Sequence, residues 1–239
     1  MKISTLVADC KRPAIAGLAV LLSCFGFIAH AQNKVTAVAT PVIQAGSPVA
    51  YGTSSDATYT VTLTKDDGLG TGTTDLSINW IGPVPSGVSI SPTSSISLPD
   101  GSTTQDVTLT ITSDVSTNAG TYNFTVSSTN NLNTSGTASF VVDKRALTIT
   151  TIGIDKVYDG TATGTVTLSD DRVSGDALAT TYTTATFSDK NVGIGKAVSV
   201  SGISITGTDA GNYTFNAAAT TSADITGLRP TNTTTSTAR

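Results

Sequence analysis

Between Val35 and Asp143 apolar side chains recur at every second position, separated by Thr and Ser, in short runs closed by turn residues. Side chains on a pleated strand alternate faces at that period, so each run predicts a half-buried antiparallel strand. The clearest cover residues 57–63, 76–80, 106–111, 121–126 and 137–142, with weaker ones at 35–38, 88–90 and 96–98. Asp66-Asp67-Gly68, Gly82-Pro83, Pro85-Ser86-Gly87, Pro99-Asp100-Gly101 and Asn130-Asn131 separate them with residues that tolerate a positive φ or fix it. Seven or eight strands in roughly 110 residues suffice for one two-sheet sandwich.

A second set of strands follows the adjacent basic pair Lys144-Arg145, at 146–150, 162–168, 182–187, 197–200, 203–206, 213–216 and 222–226. Its turns are Asp159-Gly160, Ser174-Gly175-Asp176, Asp189-Lys190-Asn191 and Asp209-Ala210-Gly211. Thr makes up about a fifth of the chain and Glu is absent, a composition that favours pleated strands and lacks strong helix formers. The prediction is an all-β fold of two tandem Ig-like β-sandwich modules, residues 32–143 and 144–227. A disordered Thr-rich tail is expected over 228–239, where Ala238 is the only apolar residue after Pro230.

The N-terminus has a different pattern. Lys2, Lys11 and Arg12 precede an apolar stretch from Ala14 to Ile28, which closes on Ala29-His30-Ala31. Basic residues, a short apolar core and small residues at a cleavage site describe a secretory signal peptide, with cleavage between Ala31 and Gln32. Two alternatives stay open: an uncleaved anchor, although the run falls short of the roughly 20 apolar residues a span needs, and lipoprotein processing at Cys24. The chain is expected outside the cell or on its surface, with no transmembrane segment in the mature form.

Removal of residues 1–31 takes away both cysteines and the only histidine. Without His, Cys or Glu, neither the usual hydrolytic triads nor thiol nucleophiles, zinc sites or Glu-based glycosidase pairs can be assembled. No enzyme activity, catalytic residue, metal or cofactor is expected. Asp66-Asp67, Asp155 with Asp159, and Asp170-Asp171 are the remaining carboxylate clusters, and each adjoins Gly or Ser in a turn, where Asp caps the local backbone. The mature chain carries 16 acidic against 10 basic residues, about −6 in all, which disfavours nucleic acid as a partner.

One pattern occurs in both halves. Asn118-Ala-Gly-Thr-Tyr122-Asn-Phe124 matches Asp209-Ala-Gly-Asn-Tyr213-Thr-Phe215. It resembles the tyrosine corner of Ig-superfamily domains, which implies a buried Tyr whose hydroxyl satisfies a backbone group, and a core residue two positions later. Phe124 and Phe215 are expected in that core position, and Trp80 is expected as the core indole of the first module.

The second half carries Lys156-Val-Tyr158-Asp159-Gly160-Thr161, then residues 185–193, Gly195-Lys196-Ala-Val, Asp209-Ala-Gly-Asn-Tyr213 and Ala223-Asp-Ile225. Over residues 146–226 this resembles the YDG repeat domain of bacterial surface and adhesin-like proteins. The resemblance implies tandem modules in long secreted proteins and no catalytic residues. The functional expectation is a rigid spacer or adhesive module whose partner is an unknown surface protein or polysaccharide, with further repeats in a longer parent protein. The alternative is a carbohydrate-binding accessory module, and the ligand-binding residues are unknown. Intact-mass measurement of the protein secreted by a bacterial host should find Gln32, or its cyclised form, as the first residue. A mature form beginning at a lipidated Cys24 would overturn this.

Overall fold

The computed structural model describes residues 35–65, 71–129 and 131–228. The expected signal peptide with its Ala31/Gln32 junction, the Asp66-Asp67-Gly68 turn, Asn130, and the tail beyond Leu228 lie outside the described residues. Those described all belong to one compact unit. The fold is all-β, and a single 3-10 turn at Ala210–Asn212 is the only helical element among the described residues.

The first half contains β1 (Val35–Val38), β2 (Val42–Ala45), β3 (Val49–Ala50), β4 (Ser55–Lys65), β5 (Gly72–Thr74), β6 (Leu76–Ile81), β7 (Val88–Ser91), β8 (Ile96–Leu98), β9 (Thr104–Ser113), β10 (Gly120–Ser128), β11 (Asn131–Thr134) and β12 (Ala138–Asp143). One sheet runs β1-β4-β9-β7, with β2 also on β4, and the other runs β11-β10-β12-β3, with β6 on β10. Strands β4 and β9 pair without a register shift from Ser55 and Ser113 to Thr64 and Thr104. Their alternation therefore sends Ala57, Tyr59, Val61 and Leu63 inward together with Val107, Leu109 and Ile111. Phe124, Val126, Phe140 and Val142 meet them from the facing sheet. Tyr59 crosses the core: its ring meets Phe124 edge-on at 5.3 Å, and its hydroxyl donates to the Ser139 carbonyl at 2.9 Å.

The second half contains β13 (Arg145–Leu147), β14 (Ile149–Ile154), β15 (Lys156–Val157), β16 (Thr165–Asp170), β17 (Ala179–Thr181), β18 (Thr184–Phe187), β19 (Gly193–Ser201), β20 (Ser204–Thr206), β21 (Tyr213–Phe215) and β22 (Ala218–Thr226). Strand pairings form a β15-β22-β19-β18 sheet and the pairs β13-β21, β14-β16 and β17-β20. Leu147, Ile149, Val166, Phe187, Val198, Val200 and Ile225 are among its buried residues. Gly153 lets β14 lie against β22, since a Cβ there would stand 2.4 Å from the Ser222 carbonyl oxygen. Among the described residues every strand pairing stays within 35–143 or within 145–226.

The structure divides two expected strands. Residues 146–150 break at Thr148, where the chain changes partner from β21 to β16 and the Thr148 N–H turns to the Asp171 carboxylate at 2.7 Å. Residues 182–187 break at Tyr182-Thr183, between β17 and β18. Strand β11 begins at Asn131, inside a stretch read as a turn.

Phe215 requires a correction. The matching motifs placed it in the core beside Phe124, yet Phe124 is fully buried and Phe215 is 39% exposed. Phe124 lies in the middle of a nine-residue strand flanked by β6 and β12, whereas Phe215 ends a three-residue strand that pairs only with β13. Phe124→Ala should cost about 3–5 kcal/mol by leaving a cavity. Phe215→Ala should cost about 1 kcal/mol or less, as expected for a partly exposed side chain. Equal losses in urea unfolding would contradict this contrast.

Candidate functional site

Two short polar clusters organise the ends of the modules. The first is built from the repeated motif. The Tyr122 ring is buried and its hydroxyl donates to the Asn118 carbonyl at 2.9 Å, which ties the turn before β10 back onto the strand. Trp80 stands opposite Phe124 in the register of β6 and β10, half-buried, with its ring meeting Phe124 at 5.5 Å and Tyr122 at 6.4 Å. These four groups pack the core and the corner of the first module.

Tyr213 is equally buried, but its hydroxyl is used differently. It accepts from the Val173 N–H at 2.8 Å and donates to the Asp176 carboxylate, both on the loop between β16 and β17. The motif therefore repeats in sequence without repeating its hydrogen bond. Strand β10 runs antiparallel to β12, which puts Tyr122 near the end of the first module, whereas β21 runs parallel to β13, which puts Tyr213 beside Arg145 at the start of the second. The two motifs consequently face each other. The buried Asn212 accepts the Ala119 N–H and donates to the Asn118 side chain, both at 2.9 Å.

A residue not identified from the sequence completes this junction. Tyr51, in the turn after β3, is only 3% exposed because its ring lies edge-on to Tyr213, centroids 5.4 Å apart, and its hydroxyl donates to Asp176 Oδ2 at 2.9 Å. One carboxylate thus accepts from two phenols, one from each module. Burial first, and then the adjoining Asp176 carboxylate, push both phenols upward, Tyr213 to about 12 and Tyr51 further. Arg172 stands nearby, bonded to Asp170 through its Nε at 2.7 Å and its Nη2 at 2.6 Å. Gly52, at φ +77°, permits the close approach: a Cβ there would lie 2.5 Å from Val173 Cγ2. No local sequence pattern marks Tyr51, since Tyr51-Gly-Thr53 shares only its Tyr, Gly and Thr with the longer Tyr158-Asp-Gly-Thr161.

The second cluster surrounds Tyr158-Asp159-Gly160. Asp159 accepts the Thr161 N–H at 2.9 Å and its hydroxyl at 2.8 Å, and Gly160 takes φ +79°, so the segment is a tight turn. Lys156 closes it: its Nζ lies 2.7 Å from Asp159 and donates to the Thr161 and Thr163 carbonyls at 2.9 Å, over the face of Phe187. Tyr158 is half-buried, and its N–H bonds the Thr226 carbonyl at 2.8 Å.

The other carboxylates also serve the backbone. Asp155 accepts the Asp224 N–H and Asp171 the Thr148 N–H, each at 2.7 Å. Asp66 and Asp67 lie outside the described residues, among which no cluster of three or more potential ligands could hold a metal ion. Nor is any helix among them long and apolar enough to cross a membrane.

The Lys156 hydrogen bond is the first cause that holds the Asp159 carboxyl down at about 2, helped by the two bonds from Thr161. A depressed carboxyl pKa stabilises the fold above the unfolded value of about 3.9, and that contribution is lost as pH falls through about 2. In NMR titration of the side-chain carboxyl, Asp159 should therefore titrate near 2, and Lys156→Met should raise its midpoint toward the ordinary range. An unmoved midpoint would assign the depression to the turn alone.

No curated protein sequence matches the chain. Among solved structures, one match is Down Syndrome Cell Adhesion Molecule isoform 1.30.30, N-terminal eight Ig domains, at 12% identity and a TM-score of 0.32. The alignment covers 82% of this chain and 25% of that one, so the chain spans about a quarter of that length. In the second half, where Lys156 clamps the Tyr158-Asp159-Gly160 turn and β13 and β15 run beside the last strands, residues 143–223 match the family model of the YDG domain.

Proposed function

We propose that the chain is an exported, non-catalytic spacer of a bacterial surface or secreted protein, in which two sandwiches act as one stiff unit and present their end loops to a partner protein or polysaccharide. The observation that carries this reading is the junction of Tyr51, Asp176 and Tyr213 with Asn118 and Asn212. Only Lys144 separates β12 from β13, so the covalent joint has little freedom. Charge-assisted hydrogen bonds from two phenols to one carboxylate are worth about 1.5–3 kcal/mol each when they are shielded from water. A spacer that bears load or holds loops at a fixed separation needs such a locked joint, whereas a soluble ligand-binding domain does not.

The residue inventory supports the same reading. The mature chain has no His, Cys or Glu, and the described Asp side chains detailed above hold turns, strand ends or the junction. A sugar-binding face would need several exposed rings on one surface. Here Tyr51, Tyr59, Tyr122, Tyr213, Phe124 and Phe140 are all buried. Export follows from the order of basic, apolar and small residues before Gln32.

In 15N relaxation measurements the two halves of the chain should tumble as one anisotropic body. Asp176→Ala, which removes the shared acceptor, should give each half its own shorter correlation time while both stay folded. The phenol pKa values are raised, so the locked state should be complete below about pH 10 and lost as pH rises through about 12. Independent tumbling of the unaltered chain at neutral pH would refute the spacer reading.

A further inference from the structure

The exit ends of the two modules share one register. In the first, Val142 lies beside Val49 in a parallel pair and opposite Gly120 in an antiparallel one, and the Tyr51 N–H bonds the Asp143 carbonyl at 3.0 Å. In the second, Ile225 lies beside Lys156 in a parallel pair and opposite Gly193 in an antiparallel one, and the Tyr158 N–H bonds the Thr226 carbonyl at 2.8 Å. Aligning these pairings makes Tyr158 the counterpart of Tyr51. It also makes Asn191-Val192-Gly193 the counterpart of Asn118-Ala119-Gly120, with no slip between the two correspondences.

The first-module residues in this set are the ones that hold the second module. Tyr51 reaches Asp176 and Tyr213, and Asn118 with the Ala119 N–H binds Asn212. At the far end of the second module none of the described residues covers the equivalent surface. Tyr158 is half-buried where Tyr51 is buried, and Val157, Val192 and Ile194 are exposed by 55%, 55% and 89%. Three exposed aliphatic side chains lie at the same end of the β15-β22-β19 sheet as this half-buried tyrosine, apolar exposure of the kind that marks an interaction surface.

We propose that this end is a docking surface for a further copy of the second module, received as the first module receives the second. Tyr158 would donate to the arriving counterpart of Asp176 and lie edge-on to that of Tyr213, while the Val192 N–H would meet that of Asn212. Charge supports the choice of occupant. In the existing junction Arg145 Nη1 lies 3.4 Å from where a Cβ on Gly52 would stand. The residue after Tyr158 is Asp159, so an arriving counterpart of Arg145 would come beside a carboxylate. The turn is one residue longer here, and Gly160 at φ +79° takes the conformation that Gly52 holds at +77°.

This proposal rests on the stiff-joint reading above, and one experiment separates the two. The chain is extended after Gly227, the counterpart of Lys144, by a second copy of residues 145–228, and amide exchange and 15N relaxation are recorded. The Val192 amide should exchange at least about tenfold more slowly than in the unextended chain, the protection of a bond that opens only with its joint. The added module should tumble with the other two. Val192→Asp, at an exposed position outside the core, and Tyr158→Ala should each release the added module and leave the Tyr51 joint locked. Unchanged Val192 exchange with a freely tumbling third module, while the first two stay coupled, overturns this proposal alone. Free tumbling at both joints overturns the stiff-joint reading and this proposal with it.

Discussion

A carboxylate that accepts from two phenols on different modules can be satisfied only while the modules stay in register with each other. Asp176 is such a group, and the arrangement at the centre of the chain depends on it. Undocking would uncover Tyr51, which is 3% exposed in the junction, and would leave Asn212 without the partners that make its burial tolerable. The penalties for separation are thus polar as well as apolar. They are also directional: phenol, carboxylate and amide must meet at fixed angles, so the junction restrains rotation as well as distance. An apolar contact of similar area would hold the modules together without setting their relative orientation.

The same logic explains why the acidic residues are structural. In a chain whose polar residues are mainly Thr, Ser, Asn and Asp, the Asp side chains are the strongest acceptors available for strand ends and turns. Asp155, Asp159 and Asp171 each take a backbone N–H in the loops and edges of the second module. Among them, only Asp159 also carries a close cation, Lys156, which is itself anchored on two carbonyls and over Phe187. That added lock falls on the turn of the YDG sequence.

Strand positions were legible in the long alternating strands β4, β9 and β10, because burial of one face imposes period two, whereas most of β14 and the first halves of β19 and β22 were not. The short strands β2, β3 and β5 have too few alternations to announce themselves, although β1, β7 and β8 of similar length were read as weaker strands. The buried placement of Tyr122 and Phe124 also followed from the sequence. Phe215 did not, and the reason is instructive. The repeated heptapeptide does not keep even its local conformation, since Gly120 opens β10 whereas Ala210–Asn212 is a 3-10 turn, and what a side chain packs against is decided by the strands on either side, which come from distant parts of the chain. Tyr213 shows the same effect: it is buried like Tyr122, yet its hydroxyl bonds a loop some forty residues upstream instead of its own turn. Tyr51 was missed because its burial depends on a contact 125 residues away, which no local pattern records.

Parallel pairing of β13 with β21 and of β15 with β22 gives the second module its polarity. Arg145 pairs with Tyr213 where both strands begin, and Val157 pairs with Thr226 where both end. One tyrosine, Tyr213, is therefore fixed at the entrance, and the residue that follows β15, Tyr158, at the exit. In the first module the corresponding exit residue, Tyr51, lies edge-on to Tyr213. Because chain direction fixes which tyrosine stands at which end, a contact between the exit of one module and the entrance of another joins two different surfaces. Such a contact is heterologous, and heterologous contacts extend in series instead of closing into pairs. The strand order thus gives the proposed contact its head-to-tail direction.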